Sequence, residues 1–285
     1  MTLRHNILIV FLIGTVSSDF SPNFKSFIIA NYGQQVYETL ARNDLRAVGS
    51  YGGGSHDGNS STSRRAVILV HGITNNAGNF FKQRDTLLSN GWAPETVYLT
   101  TYGAGSSAVT PVQNVAMDCE FVQQMRNFVE VVARFTQQKV DVIGYSFGSP
   151  IVRKAILGGK CVDNPTVDLG TPLTNLVENY VSVAGANRAS FLCPFTITNA
   201  CNEVNGLYCR SKYLKNINSY TNYEGNHIYS IYGVNDDIVG WTNLPCGTRN
   251  SGIGGSKEYA NATGNHGYIL SETIGLQMNL LNGRL

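Results

Sequence analysis

Residues 139–150 read KVDVIGYSFGSP. Val140, Val142 and Ile143 form a short apolar run rich in β-branched side chains, Gly144-Tyr145-Ser146-Phe147-Gly148 follows, and residues 151–157 suit a helix. The spacing predicts a buried strand, a sharp turn and a helix, with a serine at the tip of the turn. In G-x-S-x-G the two glycines remove bulk where strand and helix pass closest. The strained turn pushes the hydroxyl outward, where it can meet an acyl carbon. The N-terminal end of the new helix favours negative charge developing beside it. The plainer alternative is a glycine-rich turn with an idle serine.

The flanking segments extend the pattern. Residues 19–46 suit a helical lead-in with aromatics at Phe24, Phe27, Tyr32 and Tyr37, and residues 50–63 read as a flexible loop in which His56 is solvated. RAVILV at 65–70 is a short apolar run opening into His71-Gly72-Ile73-Thr74, a parallel strand with a loop at its carboxyl end. A helix over 77–90 ends at Gly91. Residues 96–102 alternate as a strand. Thr110-Pro111-Val112-Gln113 has the form of a capping box with proline at the first helical position, and predicts a helix reaching about residue 138. Strands follow at 139–145, 179–184 and 227–233, and a last helix at 269–281. The alternation of strand and helix implies a mostly parallel sheet with helices on both faces.

The ends of these strands carry the chemistry. The loop after the first strand is where a second oxyanion donor belongs, and the expected donors are the main-chain N–H groups of Ile73 and Phe147; the His71 imidazole is expected to shape the loop. The strand at 227–233 is followed by VNDDIV, offering two adjacent acids, Asp236 and Asp237, of which only one can take a histidine Nδ1–H. His266 lies in a glycine-flanked loop before the last helix. Serine, acid, histidine is the chain order of an α/β-hydrolase triad. His227 begins a strand instead of following one and is the poorer base.

Compartment and partners come from the remaining features. Arg4 precedes an apolar run at 7–16 and the pair Ser17-Ser18, predicting a signal peptide over 1–18, with 19–285 as one secreted hydrolase domain. No later stretch is apolar for long enough to span a bilayer. The 285 residues carry a formal net charge of +2 with no basic cluster, which argues against nucleic acid. Cys119, Cys161, Cys193, Cys201, Cys209 and Cys246 are an even set suiting up to three disulfides of unreadable pairing; no histidine stands among them at zinc spacing. Asn59 and Asn261 head glycosylation patterns. Residues 189–225, with three of the cysteines and no steady period, read as a cysteine-rich excursion near the site, either a lid or acyl-binding wall, or a stapled surface loop.

The stretches VILVHGITNNAGNFFKQRDTLLSNGW, VDVIGYSFGSP, VSVAGANR and IYSIYGVNDDIVG, with the His266 loop, resemble the class 2 (LipA/EstA-type) lipase family in the form found as secreted nematode lipases. The resemblance runs from about residue 65 to the C-terminus. It implies an α/β-hydrolase fold acting on acylglycerol or other carboxylic esters without metal or organic cofactor, and the chain is expected to be a monomer. The family's acid precedes an x-Ile-Val step, which places it at Asp236. Bacterial members are smaller and lack the cysteine-rich excursion. A secreted acyltransferase with the same triad, a serine peptidase and a non-catalytic lipid-binding homologue are the competing readings.

Overall fold

The computed structural model describes residues 19–105, 111–242, 245–261 and 264–284. The expected signal peptide and Thr110 lie outside the described residues. In chain order the elements are α1 (Pro22–Tyr32), α2 (Gln34–Ala41), β1 (Ser50–Tyr51), β2 (Val67–Val70), α3 (Phe81–Ser89), β3 (Val97–Thr100), α4 (Cys119–Phe135), β4 (Val140–Tyr145), α5 (Gly148–Leu157), β5 (Val177–Val183), α6 (Lys212–Asn218), β6 (His227–Gly233), β7 (Lys257–Asn261), α7 (His266–Glu272) and α8 (Ile274–Leu281).

The strands form one sheet in the order β1-β3-β2-β4-β5-β6-β7. Every pairing is parallel except that of β1 with β3. The central strands are buried on both faces, which explains why they read as continuous apolar runs. Ile68, Val70, Val140 and Val142 face a core built with α1, α2, α4, α5 and α6. Val67, Leu69, Ile143 and Val181 face a second core with α3, α7 and α8. This is the mostly parallel sheet with helices on both faces that the alternation implies. All six cysteines are paired, as Cys119–Cys161, Cys193–Cys201 and Cys209–Cys246.

Three local expectations are corrected. The helix expected from residue 110 begins only at Cys119, with Asp118 at the N-cap position. Before it, Val112–Asn114 makes a single short turn and Val115 is extended. Met117 N–H donates to Asn205 O, and Cys119 is bonded to Cys161, so tertiary links hold this stretch out of the helix. The loop at 50–63 is pinned. Ser50 and Tyr51 add the antiparallel edge strand, and half-buried His56 bonds Phe135 O through Nε2 at 3.0 Å instead of facing solvent. The cysteine-rich excursion is not all loop, because α6 buries Tyr213, Leu214 and Ile217 and packs beside α5.

Candidate active site

The parallel strands present their carboxyl ends to one edge of the sheet, and the chain leaves that edge at Ser146, Ala184 and Val234. Ser146 has φ 53°, a left-handed conformation that side chains other than glycine rarely adopt. Its neighbours show why the glycines are needed. A Cβ at Gly148 would fall 2.1 Å from His71 O, and one at Gly144 would fall 2.8 Å from Ser149 Cα. The strained turn is held by backbone bonds from Ser146 N–H to Val183 O and from Ala186 N–H to Ser146 O.

The structure brings together the three side chains expected to react. His266 Nε2 lies 2.8 Å from Ser146 Oγ, and His266 Nδ1 lies 2.9 Å from Asp236 Oδ2. All three residues are buried. Asp236 Oδ1 accepts the N–H groups of Ile238 and Val239 at 3.0 and 2.8 Å. Burial raises the pKa of this carboxyl, but the hydrogen bond and charge of His266 and the two backbone donors outweigh it, so the net shift is downward. Asp236 is therefore held as a carboxylate against the imidazole.

The adjacent acid has a different part. Asp237 Oδ1 accepts the backbone N–H of His266 at 3.0 Å. Tyr145 OH donates to the His266 carbonyl at 3.0 Å, and the two rings stack with centroids 5.2 Å apart. The histidine is thus fixed at its ring, its N–H and its carbonyl. Sequence reasoning does not assign Tyr145 this role; its place beside the serine in the strand-turn is the signal that could have found it. His227 is exposed at the start of β6, beside Glu178, and is not brought to the site.

On the other side of the serine lies the loop after β2. His71 is buried and stacks on Tyr102 with centroids 4.0 Å apart. Tyr102 N–H donates to His71 Nε2, so the ring proton sits on Nδ1, which donates to Gly72 O at 2.8 Å. Asn75 N–H donates to the same carbonyl. Burial opposes a charge on this ring and outweighs the hydrogen bond to Gly72 O, so the pKa is lowered to about 4. His71 shapes this loop as a neutral ring. Neither the Ile73 nor the Phe147 N–H meets an acceptor among the described residues. A cleft of ≈ 580 Å³ runs behind the loop, lined by His71, Thr74, Asn75, Tyr102 and Phe121 among others, but Ser146 is not in its wall.

Beneath the turn lies a polar network that the sequence did not reveal. Ser149 Oγ contacts Tyr180 OH, Ser182 Oγ and Asn187 Oδ1 at 2.8–2.9 Å, and Asn187 Nδ2 donates to Ser182 Oγ and Ser251 O. Next to it, fully buried Arg153 pairs with fully buried Glu224 at 2.9 Å. Of the glycosylation candidates, Asn59 is exposed and Asn261 half-buried at the end of β7.

Compared with known proteins, residues 64–279 match the model of the family described as lipase (class 2). No curated protein matches the chain in sequence. Among solved structures, the Bacillus licheniformis lipase BlEst2 in its propeptide form is similar at TM-score 0.57 and 11% identity, over 81% of this chain and 52% of that one. Its mature form gives TM-score 0.55 and 12% identity over 81% of this chain and 97% of that one. Aspergillus fumigatus lipase B gives TM-score 0.58 and 14% identity over 86% of this chain and 58% of that one. The chain thus spans little more than half of the propeptide form and of the fungal lipase. At these identities the likeness shows the shared fold.

Proposed function

The chain belongs to the class 2 lipase family, and so to the carboxylic ester hydrolases, and from that premise we propose that it cleaves ester lipids by acyl transfer through Ser146, His266 and Asp236. The supporting observation is the hydrogen-bonded series from Asp236 Oδ2 through both nitrogens of His266 to Ser146 Oγ. His266 Nε2 takes the serine proton as Oγ attacks the ester carbonyl. The carbonyl π-bond opens to a tetrahedral oxyanion, which the N–H groups of Ile73 and Phe147 receive. His266 returns the proton to the leaving alcohol, leaving Ser146 acylated. Water then adds by the same route and releases the acid. Asp236 keeps the proton of the resting imidazole on Nδ1 and stabilises the imidazolium.

Acylglycerols are the substrate class we favour, since the family acts on ester lipids. The protein is read as a secreted monomer. Three disulfides suit an oxidising compartment, and no helix among the described residues is long and apolar enough to cross a membrane. The test is hydrolysis of p-nitrophenyl butyrate beside emulsified trioctanoin and triolein by the protein and its Ser146→Ala form. Serine-dependent release from the emulsions is expected. Activity on the butyrate alone would restrict the enzyme to small esters. Acyl products formed only on adding an alcohol acceptor would make it an acyltransferase.

A further inference from the structure

Residues 189–201 read ASFLCPFTITNAC, without one charged side chain. The large apolar members do not turn inward: Phe191 is 54%, Leu192 56%, Phe195 67% and Ile197 82% exposed. The cysteines between and after them are buried and joined to each other. Exposing apolar surface to water is unfavourable in proportion to its area, and soluble chains normally scatter such residues singly. Here they crowd into one short, closed segment whose own core is already formed.

This segment is stitched to the loop that carries Asp236. Ser190 Oγ donates to Ile238 O at 2.6 Å and Phe191 N–H to Val239 O at 2.8 Å. Ile238 and Val239 are the residues whose N–H groups Asp236 accepts. On the other flank Asn199 Nδ2 donates to Asn114 O at 2.8 Å, two residues from exposed Val112. The base of the segment is held by bonds from Leu207 N–H to Ala200 O and from Ser190 N–H to Leu207 O. An apolar surface therefore stands on the same edge of the sheet as Ser146, fixed by the Cys193–Cys201 link.

We infer that residues 191–197 are a fixed lipid-docking wedge that enters the acyl region of a neutral lipid aggregate and sets the Ser146 edge against the phase supplying the ester. The inference rests on the ester-lipid reading of the site and deepens it. Charge selects the occupant. With no cation or anion in the segment to meet a headgroup or nucleic acid, its recognition is by acyl chains, through apolar burial. Because the segment is tied at both ends, the docking surface exists before substrate arrives.

The test uses the Phe195→Ser/Ile197→Ser variant, which changes two largely exposed side chains outside the reacting groups. Flotation with triolein droplets is measured beside hydrolysis of p-nitrophenyl butyrate in solution. The expected result is an unchanged kcat/KM on the butyrate with droplet partitioning down by about tenfold or more, and droplet binding by Ser146→Ala equal to that of the parent. Equal flotation of the double variant and parent would overturn the inference. So would a parent dimer that dissociates in the double variant, since the face would then belong to a second copy. Parent protein that floats without serine-dependent hydrolysis sinks the hydrolase reading and leaves the docking inference standing. Parent protein that hydrolyses butyrate but does not float does the reverse.

Discussion

Asp237 Oδ1 accepts the backbone N–H of His266 at 3.0 Å, while its neighbour Asp236 holds the same residue's imidazole. Two adjacent acids of one loop thus fix one histidine at two points. Replacement should separate them. Asp236→Ala is expected to lower kcat by about 10³–10⁴, as loss of an orienting carboxylate does. Asp237→Ala should lower it only about tenfold by loosening the backbone, and Asp237→Asn, which keeps an acceptor oxygen, should remain near the parent. Steady-state kinetics on a soluble ester checks the order. A larger loss at Asp237 would reassign the acid.

Gly148→Ala places a methyl group 2.1 Å from His71 O, a main-chain atom that cannot swing aside. The backbone there must move, at a cost of about 1–3 kcal/mol, and it carries Ser146 and the Phe147 N–H with it. Activity should fall much more than the urea midpoint. A variant with parent activity would contradict the close packing of turn on loop.

Stability should respond to pH through two buried groups of opposite sign. His71, with its pKa lowered to about 4 by burial, stays neutral in the fold while the unfolded chain takes up a proton below about pH 6.5. Its contribution is complete above pH 6.5 and is lost as pH falls towards 4, by about 3 kcal/mol in all. Asp141 is raised to about 6, by burial against the opposing effects of Arg65 and Asn179. The fold therefore holds its proton more tightly, and that contribution is present below about pH 4 and lost as pH rises through 6. Urea unfolding at pH 4.5 and pH 7 should show His71→Gln with less acid destabilisation than the parent and Asp141→Asn with more. Shifts in the same direction would refute the assignment.

Arg153 and Glu224 are both fully buried, and Glu224 Oε2 has no hydrogen-bond partner among the described residues. Arg153→Leu leaves a carboxylate in the core and should cost about 3–5 kcal/mol, whereas Arg153→Leu/Glu224→Leu should recover much of that loss. Chemical denaturation of the two variants decides it; a double variant no more stable than the single would show that the pair is needed as a pair.

The sheet was legible from sequence because its central strands are apolar on both faces, as Val67–Val70 and Val140–Tyr145 are. The edges were not. β1 has two residues, and β7, reading KEYAN, is mostly exposed and lacks apolar alternation. Chain order named Ser146, His266 and the acid pair, and the structure brings them within hydrogen-bond distance. It could not name Asn187, which meets Ser149 across 38 positions, or Glu224, which meets Arg153 across 71. Such partners carry no local pattern; only the fold supplies their neighbour. The capping-box pattern predicts a helix that residues 115–118 do not form, because local propensity yields to the link between Met117 and Asn205.

Covalent labelling by a fluorophosphonate reports a serine activated by its histidine without assuming a substrate. One adduct per chain is expected, mapped by mass spectrometry to Ser146, absent in Ser146→Ala and strongly slowed in His266→Ala. An adduct on another residue, or none on folded protein, would rule out Ser146 as the nucleophile.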